Sequence, residues 1–264
     1  MDMTWTTQQR SEVMGLSAIV AGQGRPVLLL HGVGLKAEAW AAQIAMLSTS
    51  FKVVAPDMYG HGESPCPSQP LAMEDYVLAT LEVLAGFDQR ALVAGHSMGA
   101  MIALELAFRA PEKISAVAAL NAVFERSPEA SAAVKARAGS LDGIAVPEPE
   151  PTLQRWFGTA PSPERAACET WLRAVDPMGY RWAYEAFAHA TGPSRSALTG
   201  LQCPALFATG ALERNSTPNM SRGMAALAPR GQAMIVQGAA HMMPMTHADK
   251  VNAALLHLAQ EGWS

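Results

Sequence analysis

The sequence predicts an α/β protein, a doubly wound and mostly parallel sheet interrupted by a helical insertion. Short, wholly apolar runs alternate with stretches whose apolar residues recur at helical spacing, the pattern of strands covered on both faces and their crossover helices. The alternation lapses across residues 122–200, which hold eight of the 18 prolines and no buried-strand run, and it resumes afterwards. At 264 residues the chain suits one interrupted α/β domain. A chain of this length can bury about three quarters of its unfolded surface.

Taken in order, residues 10–20 read as one or two short strands, with Gly22 and Gly24 marking the turn out. Pro26 to Leu30 is a buried strand ended by His31-Gly32. Trp40, Ile44 and Leu47 repeat at i, i+4, i+7, which predicts an amphipathic helix over 38–48. Phe51 to Ala55 is the next strand, followed by a glycine-containing loop from Asp57 to Ser64. Val77, Leu81 and Leu84 mark a helix stopped by Gly86. Ala91 to Ala94, a helical run from Ala100 to Ala107, and Ile114 to Leu120 continue the alternation. Within 122–200, helices are expected near 129–138 and 163–175. Ala205 to Thr209 is a strand, Thr217-Pro218 starts a helix, Ala233 to Val236 is the last strand, and Val251, Leu255 and Leu258 define a final helix with Gly262 just beyond it. The expected division is a core of residues 1–121 and 201–264, with 122–200 inserted.

Composition narrows the function. Charged residues are 16% of the chain, the net charge is −4, and no basic block exists to neutralise phosphates, which argues against nucleic-acid binding. The apolar runs fall short of a membrane span. Residues 1–25 show no basic segment followed by an apolar one, so no signal peptide is expected. Cys66, Cys168 and Cys203 are widely spaced, which points to reduced thiols in a cytoplasmic enzyme without structural metal. Neither Gly-x-Gly-x-x-Gly nor a Walker-type loop is present, so no nucleotide cofactor is expected.

Gly95-His-Ser-Met-Gly99 lies between a buried strand and a helix, the setting of a nucleophile elbow. In so tight a turn the serine stands clear of the sheet in strained backbone, and side chains two residues either side would collide with strand and helix. Together with His31-Gly32, the Asp57 to Ser64 loop and Gly238-Ala-Ala-His241 after the last strand, it makes the chain resemble the α/β-hydrolase family from about Pro26 to the C-terminus, outside the insertion. The resemblance implies a sheet of eight-stranded type with a helical lid, and a serine–histidine–acid triad.

A serine hydroxyl needs a neighbouring base, and the base an orienting carboxylate. Ser97 supplies the hydroxyl. Of seven histidines, His31 and His61 lie in glycine-bounded turns and read as structural, His96 should be aimed away by the turn, His189 sits in the insertion and His257 in the last helix. The resemblance places the base at His241, with His247 the competitor. The acid is expected after the penultimate strand, where Gly210-Ala-Leu precedes Glu213; Glu125 is the alternative. Backbone N–H groups of Val33 and Met98 would form the oxyanion hole, each such donor contributing roughly 3 kcal/mol to the transition state. Asp57 and Ser64 read as ties within their loop.

Eight of the 17 aromatic residues lie between 124 and 187, in the segment that the resemblance makes a lid. Two or three should touch substrate; we assign Trp156 and Trp182, together with Met242 beside His241. The resulting expectation is a cofactor-free serine hydrolase of a small or medium ester or lactone, with homo-oligomerisation left open. The alternatives are hydrolysis of a carbon–carbon bond in a ring-cleavage dienoate, which the short His31-Gly-Val-Gly-Leu35 loop fits less well, and a non-hydrolytic lyase or ligand sensor.

Overall fold

Successive side chains of a strand leave opposite faces of its sheet. Along Pro26–Leu30, Val27 and Leu29 enter one buried layer while Leu28 and Leu30 enter the other, so apolar residues at every position mean helices on both sides. The computed structural model describes Trp5 and residues 7–263. Its strands are β1 (Ser11–Val13), β2 (Leu16–Ala21), β3 (Pro26–Leu30), β4 (Lys52–Pro56), β5 (Ala91–His96), β6 (Ile114–Leu120), β7 (Ala205–Gly210) and β8 (Gly231–Val236). They form one sheet in the order β1-β2-β4-β3-β5-β6-β7-β8. From β4 onward neighbouring strands are parallel, while β1 and β2 join antiparallel at the edge. The doubly wound, mostly parallel α/β fold expected from the sequence is therefore the one observed.

The helices are α1 (Ala41–Leu47), α2 (Met73–Ala85), α3 (Met98–Arg109), α4 (Pro128–Gly139), α5 (Glu150–Phe157), α6 (Pro163–Ala174), α7 (Pro177–His189), α8 (Arg195–Thr199), α9 (Pro218–Leu227), α10 (Met243–Thr246) and α11 (Ala248–Trp263). Trp40, Ile44 and Leu47 join Val251, Leu255 and Leu258 of α11 on one face of the sheet. Apolar residues of α2, α3 and α9 lie on the other. Among the described residues no helix is long and apolar enough to cross a membrane.

Three departures from the expected elements have local causes. The helix expected over 38–48 is split into a 3-10 turn, Ala37–Trp40, and α1. Gly262 does not stop the last helix; α11 continues to Trp263, and a Cβ at 262 would lie 2.7 Å from the Ser115 carbonyl of β6. That glycine serves close helix–strand approach rather than termination. Between β6 and β7 stand five helices, of which the periodicity identified α4 and α6. Pro147-Glu-Pro-Glu-Pro151 concealed α5, because proline is tolerated in a first turn, where its missing N–H has no intrahelical acceptor to lose. Pro177 likewise opens α7, capped by the Asp176 carboxylate accepting from Gly179 N at 2.7 Å.

Candidate active site

The turn from β5 into α3 holds Ser97 at φ +56°, ψ −115°, a conformation that non-glycine residues rarely adopt and that costs about 1–3 kcal/mol. Packing enforces it. A Cβ on Gly95 would strike the Gly99 carbonyl, and one on Gly99 would strike the carbonyl of Leu30. Ser97 N donates to Leu120 O at 2.9 Å, which ties the turn to β6. Met98 is the first residue of α3, so its amide has no partner within the helix. Val33 lines the same cavity as Ser97.

His241 follows β8 and Glu213 follows β7, two parallel neighbours whose C-terminal loops therefore meet. His241 Nδ1 lies 2.7 Å from Glu213 Oε2. The other carboxylate oxygen, Oε1, accepts from Asn215 N at 2.7 Å and Ser216 N at 3.4 Å. Burial pushes the Glu213 carboxyl upward, but the adjacent imidazole and these hydrogen bonds outweigh it and bring the pKa to about 2. The Glu213 carboxylate is thus ionised, with both oxygens hydrogen-bonded. Glu125, the alternative acid, is exposed and paired with Arg195 at 2.7 Å, away from His241. His247 bonds to Thr246 Oγ1 and does not line the Ser97 cavity.

The His241 imidazole lies between two other rings. Trp156 of α5 stacks on it at 5.4 Å with planes 22° apart, and His96 approaches to 4.7 Å. His96 does not line the Ser97 cavity; its side chain turns to the backbone of His241 instead. Its Nε2 donates to the His241 carbonyl at 2.9 Å, and Asn121 Nδ2 donates to the same oxygen. Burial holds His96 neutral, with its pKa near 3. Neither residue carried a sequence signal for this, since the contact spans 145 positions for one and 120 for the other.

His31 and His61 brace the loop that carries Val33. His31 Nε2 accepts from Met58 N and His61 Nε2 from Gly34 N, both at 2.9 Å. Burial depresses both, to about 4 and about 3. Asp57 accepts from Ala37 N at 2.7 Å and Glu63 N at 2.9 Å, and Ser64 Oγ donates to its carbonyl at 2.6 Å.

Ser97 and His241 face a common cavity of about 170 Å³. Among the described residues no hydrogen bond joins their side chains directly; the partners of His241 are Glu213 at its ring and His96 and Asn121 at its carbonyl. Trp156, expected to touch substrate, lines the cavity. Trp182 does not. Tyr180, Tyr184 and Phe187 occupy one face of α7 toward the cavity, and at about 100° per residue Trp182 falls about 200° round from Tyr180. Met242 is also absent from the lining; at 1% exposure it belongs to the apolar core. Sequence reasoning missed Arg126, Arg155 and Arg214, which line the cavity together with Thr152 and Asn215. The helix bearing Arg155 was itself hidden by prolines, so its facing could not be read.

Comparison with known proteins extends this picture. The model of the alpha/beta hydrolase family matches residues 27–254. The chain is similar to the (E)-2-((N-methylformamido)methylene)succinate hydrolase of Acinetobacter baylyi, 36% identical over 89% of this chain and 90% of that one. Among solved structures it resembles a thermophilic esterase from Thermogutta terrifontis, in a malate-bound form, with TM-score 0.84 and 25% identity over 97% of this chain and 100% of that one. It also resembles the enol-lactonase of Burkholderia xenovorans LB400, with TM-score 0.81 and 27% identity over 96% and 100%.

Proposed function

Because the chain belongs to the alpha/beta hydrolase family, we propose that this enzyme is a serine hydrolase of small carboxylic esters or lactones, acting through an acyl-enzyme. Ser97 attacks the carbonyl, His241 takes its proton and returns it to the leaving group, and Glu213 holds the imidazole in the tautomer whose Nε2 accepts. The amides of Val33 and Met98 hold the oxyanion. Water then enters by the same route in reverse and releases the acid. The 122–200 segment acts as the lid.

The observation that carries this reading is the buried 2.7 Å bond between His241 Nδ1 and an ionised Glu213, in a side chain that shares its cavity with Ser97. The direct serine–histidine bond is of a kind often long without substrate and tightened in the Michaelis complex. The solved relatives named as an esterase and an enol-lactonase support the two substrate classes.

A second reading takes its bond from the Acinetobacter baylyi relative, named as the hydrolase of a succinate bearing an N-methylformamido group. Here the same serine would attack an amide carbonyl. Fluorophosphonate labelling of Ser97, followed by rates on matched esters, lactones and formamides, tests both. Ser97→Ala is expected to abolish labelling and to lower turnover on the order of a million-fold without unfolding the protein. Retention of more than a few per cent of activity rejects the acyl-enzyme mechanism.

A further inference from the structure

The net charge of the chain is −4, yet the Ser97 cavity has the opposite sign. Arg126, Arg155 and Arg214 line it, and no aspartate or glutamate does. Other arginines have found carboxylates: Arg109, Arg165, Arg173, Arg181 and Arg195 each pair with a glutamate at 3.1 Å or less. Among the described residues, neither Arg126 nor Arg155 forms such a pair, and neither does Arg137 close behind the cavity wall.

Arg155 and Arg137 are also pressed together. Each donates an Nη2 to the same Thr152 hydroxyl, at 3.1 and 3.0 Å. Two like charges converging on a neutral oxygen repel, and a bound anion relieves that repulsion. Arg126 is fixed differently. Its Nη1 donates to the carbonyls of Ala190 at 2.9 Å and Phe187 at 3.3 Å, and its guanidinium sits 4.5 Å over the Phe187 ring. Its other terminal nitrogen, Nη2, is buried with no hydrogen-bond partner. A buried donor left unmade is costly, and beside an open cavity a bound anion is one group that would satisfy it. Planar guanidinium groups match a carboxylate in a way that a lysine does not.

Resting on the serine-hydrolase reading, we propose that the substrate carries a free carboxylate, bound by Arg126 and Arg155 while the scissile carbonyl lies at Ser97. The Ser97 cavity, at about 170 Å³, lies below the roughly 300 Å³ where drug-sized sites begin, while Arg155, Trp156, Arg214 and His241 also line a wider cleft of about 1130 Å³. The part of the ligand between the scissile carbonyl and its carboxylate is therefore short, a half-ester of a small dicarboxylic acid being the simplest case.

The test compares initial rates, by pH-stat, on the monomethyl and dimethyl esters of malonic, succinic and glutaric acids. For at least one chain length the half-ester should be preferred by tenfold or more in kcat/KM. Arg155→Gln should lower that preference several-fold, chiefly through the KM of the half-ester, and Arg155→Lys should restore part of it. Arg126→Gln should act in the same direction, provided its melting curve shows it folded. In parallel, calorimetry on Ser97→Ala should detect succinate binding that Arg155→Gln weakens. Turnover of dimethyl esters without preference for any half-ester, together with no dicarboxylate binding, overturns the carboxylate site and leaves the hydrolase reading intact. Dicarboxylate binding without turnover of any ester does the reverse.

Discussion

Replacing Glu213 by glutamine isolates the contribution of one proton-accepting face. Both carboxylate oxygens accept: Oε2 from His241 Nδ1 at 2.7 Å, and Oε1 from the amides of Asn215 and Ser216. An amide cannot accept on both sides. If its oxygen faces His241, its NH2 confronts two backbone donors. If its NH2 faces His241, the imidazole must carry its proton on Nε2 and can no longer take one from Ser97. The loop donors favour the second arrangement, so Glu213→Gln is expected to lower kcat by on the order of 10⁴, the size of effect known when a triad acid is made neutral and the histidine tautomer is reversed. That corresponds to ~5 kcal/mol of barrier. The assay is kcat on a small methyl ester, with a melting curve as control. A kcat within tenfold of the parent refutes the assignment of Glu213 as the orienting acid. The same variant has a stability signature. The folded carboxyl titrates near 2 instead of 4.5, a depression worth ~3 kcal/mol at about 1.4 kcal/mol per unit. This stability is complete above about pH 4.5 and is lost as pH falls toward 2, so the parent's advantage over the variant should shrink through that window.

Two further expectations concern the wall and the scaffold. Trp156→Ala should raise KM and slow turnover, because it uncovers the His241 ring it stacks upon, whereas Trp182→Ala, on the far side of α7, should leave KM within a factor of two; equal effects on KM would refute the cavity assignment. Three buried histidines should make the protein acid-labile. Burial lowers His31 to about 4 and His61 and His96 to about 3, from 6.5. The unfolded chain therefore binds protons below pH 6.5 that the folded one refuses, and their stabilising contribution, full above 6.5, is lost as pH falls toward 4 and below. Each histidine accounts for ~2 kcal/mol between pH 6.5 and 5. Thermal melts at pH 7.5 and 5 should differ by several degrees, and superimposable curves would contradict the burial of these rings as neutral groups.

Local chemistry makes much of this protein legible in its sequence. Apolar runs bounded by turns defined the parallel strands, because a strand covered on both faces needs apolar residues throughout, as Pro26–Leu30 has. Gly95 and Gly99 marked the elbow, because only residues without a Cβ fit there. What the sequence could not determine depended on facing and on distance along the chain. Trp182 and Tyr184 are two residues apart in similar surroundings, and only the rotation of α7 against the sheet sends one to the cavity and the other away from it. His96 and Asn121 gained their contacts with the His241 carbonyl from parallel strands that bring distant loops to one edge. The charge of the cavity was equally hidden, since Arg126 and Arg155 resemble any surface arginine until packing removes them from the carboxylates that the others meet. Periodicity and turn chemistry act over a few residues, and the sequence determined what they govern. Which side chains share a cavity is a long-range outcome of packing, and only the tertiary structure decided it.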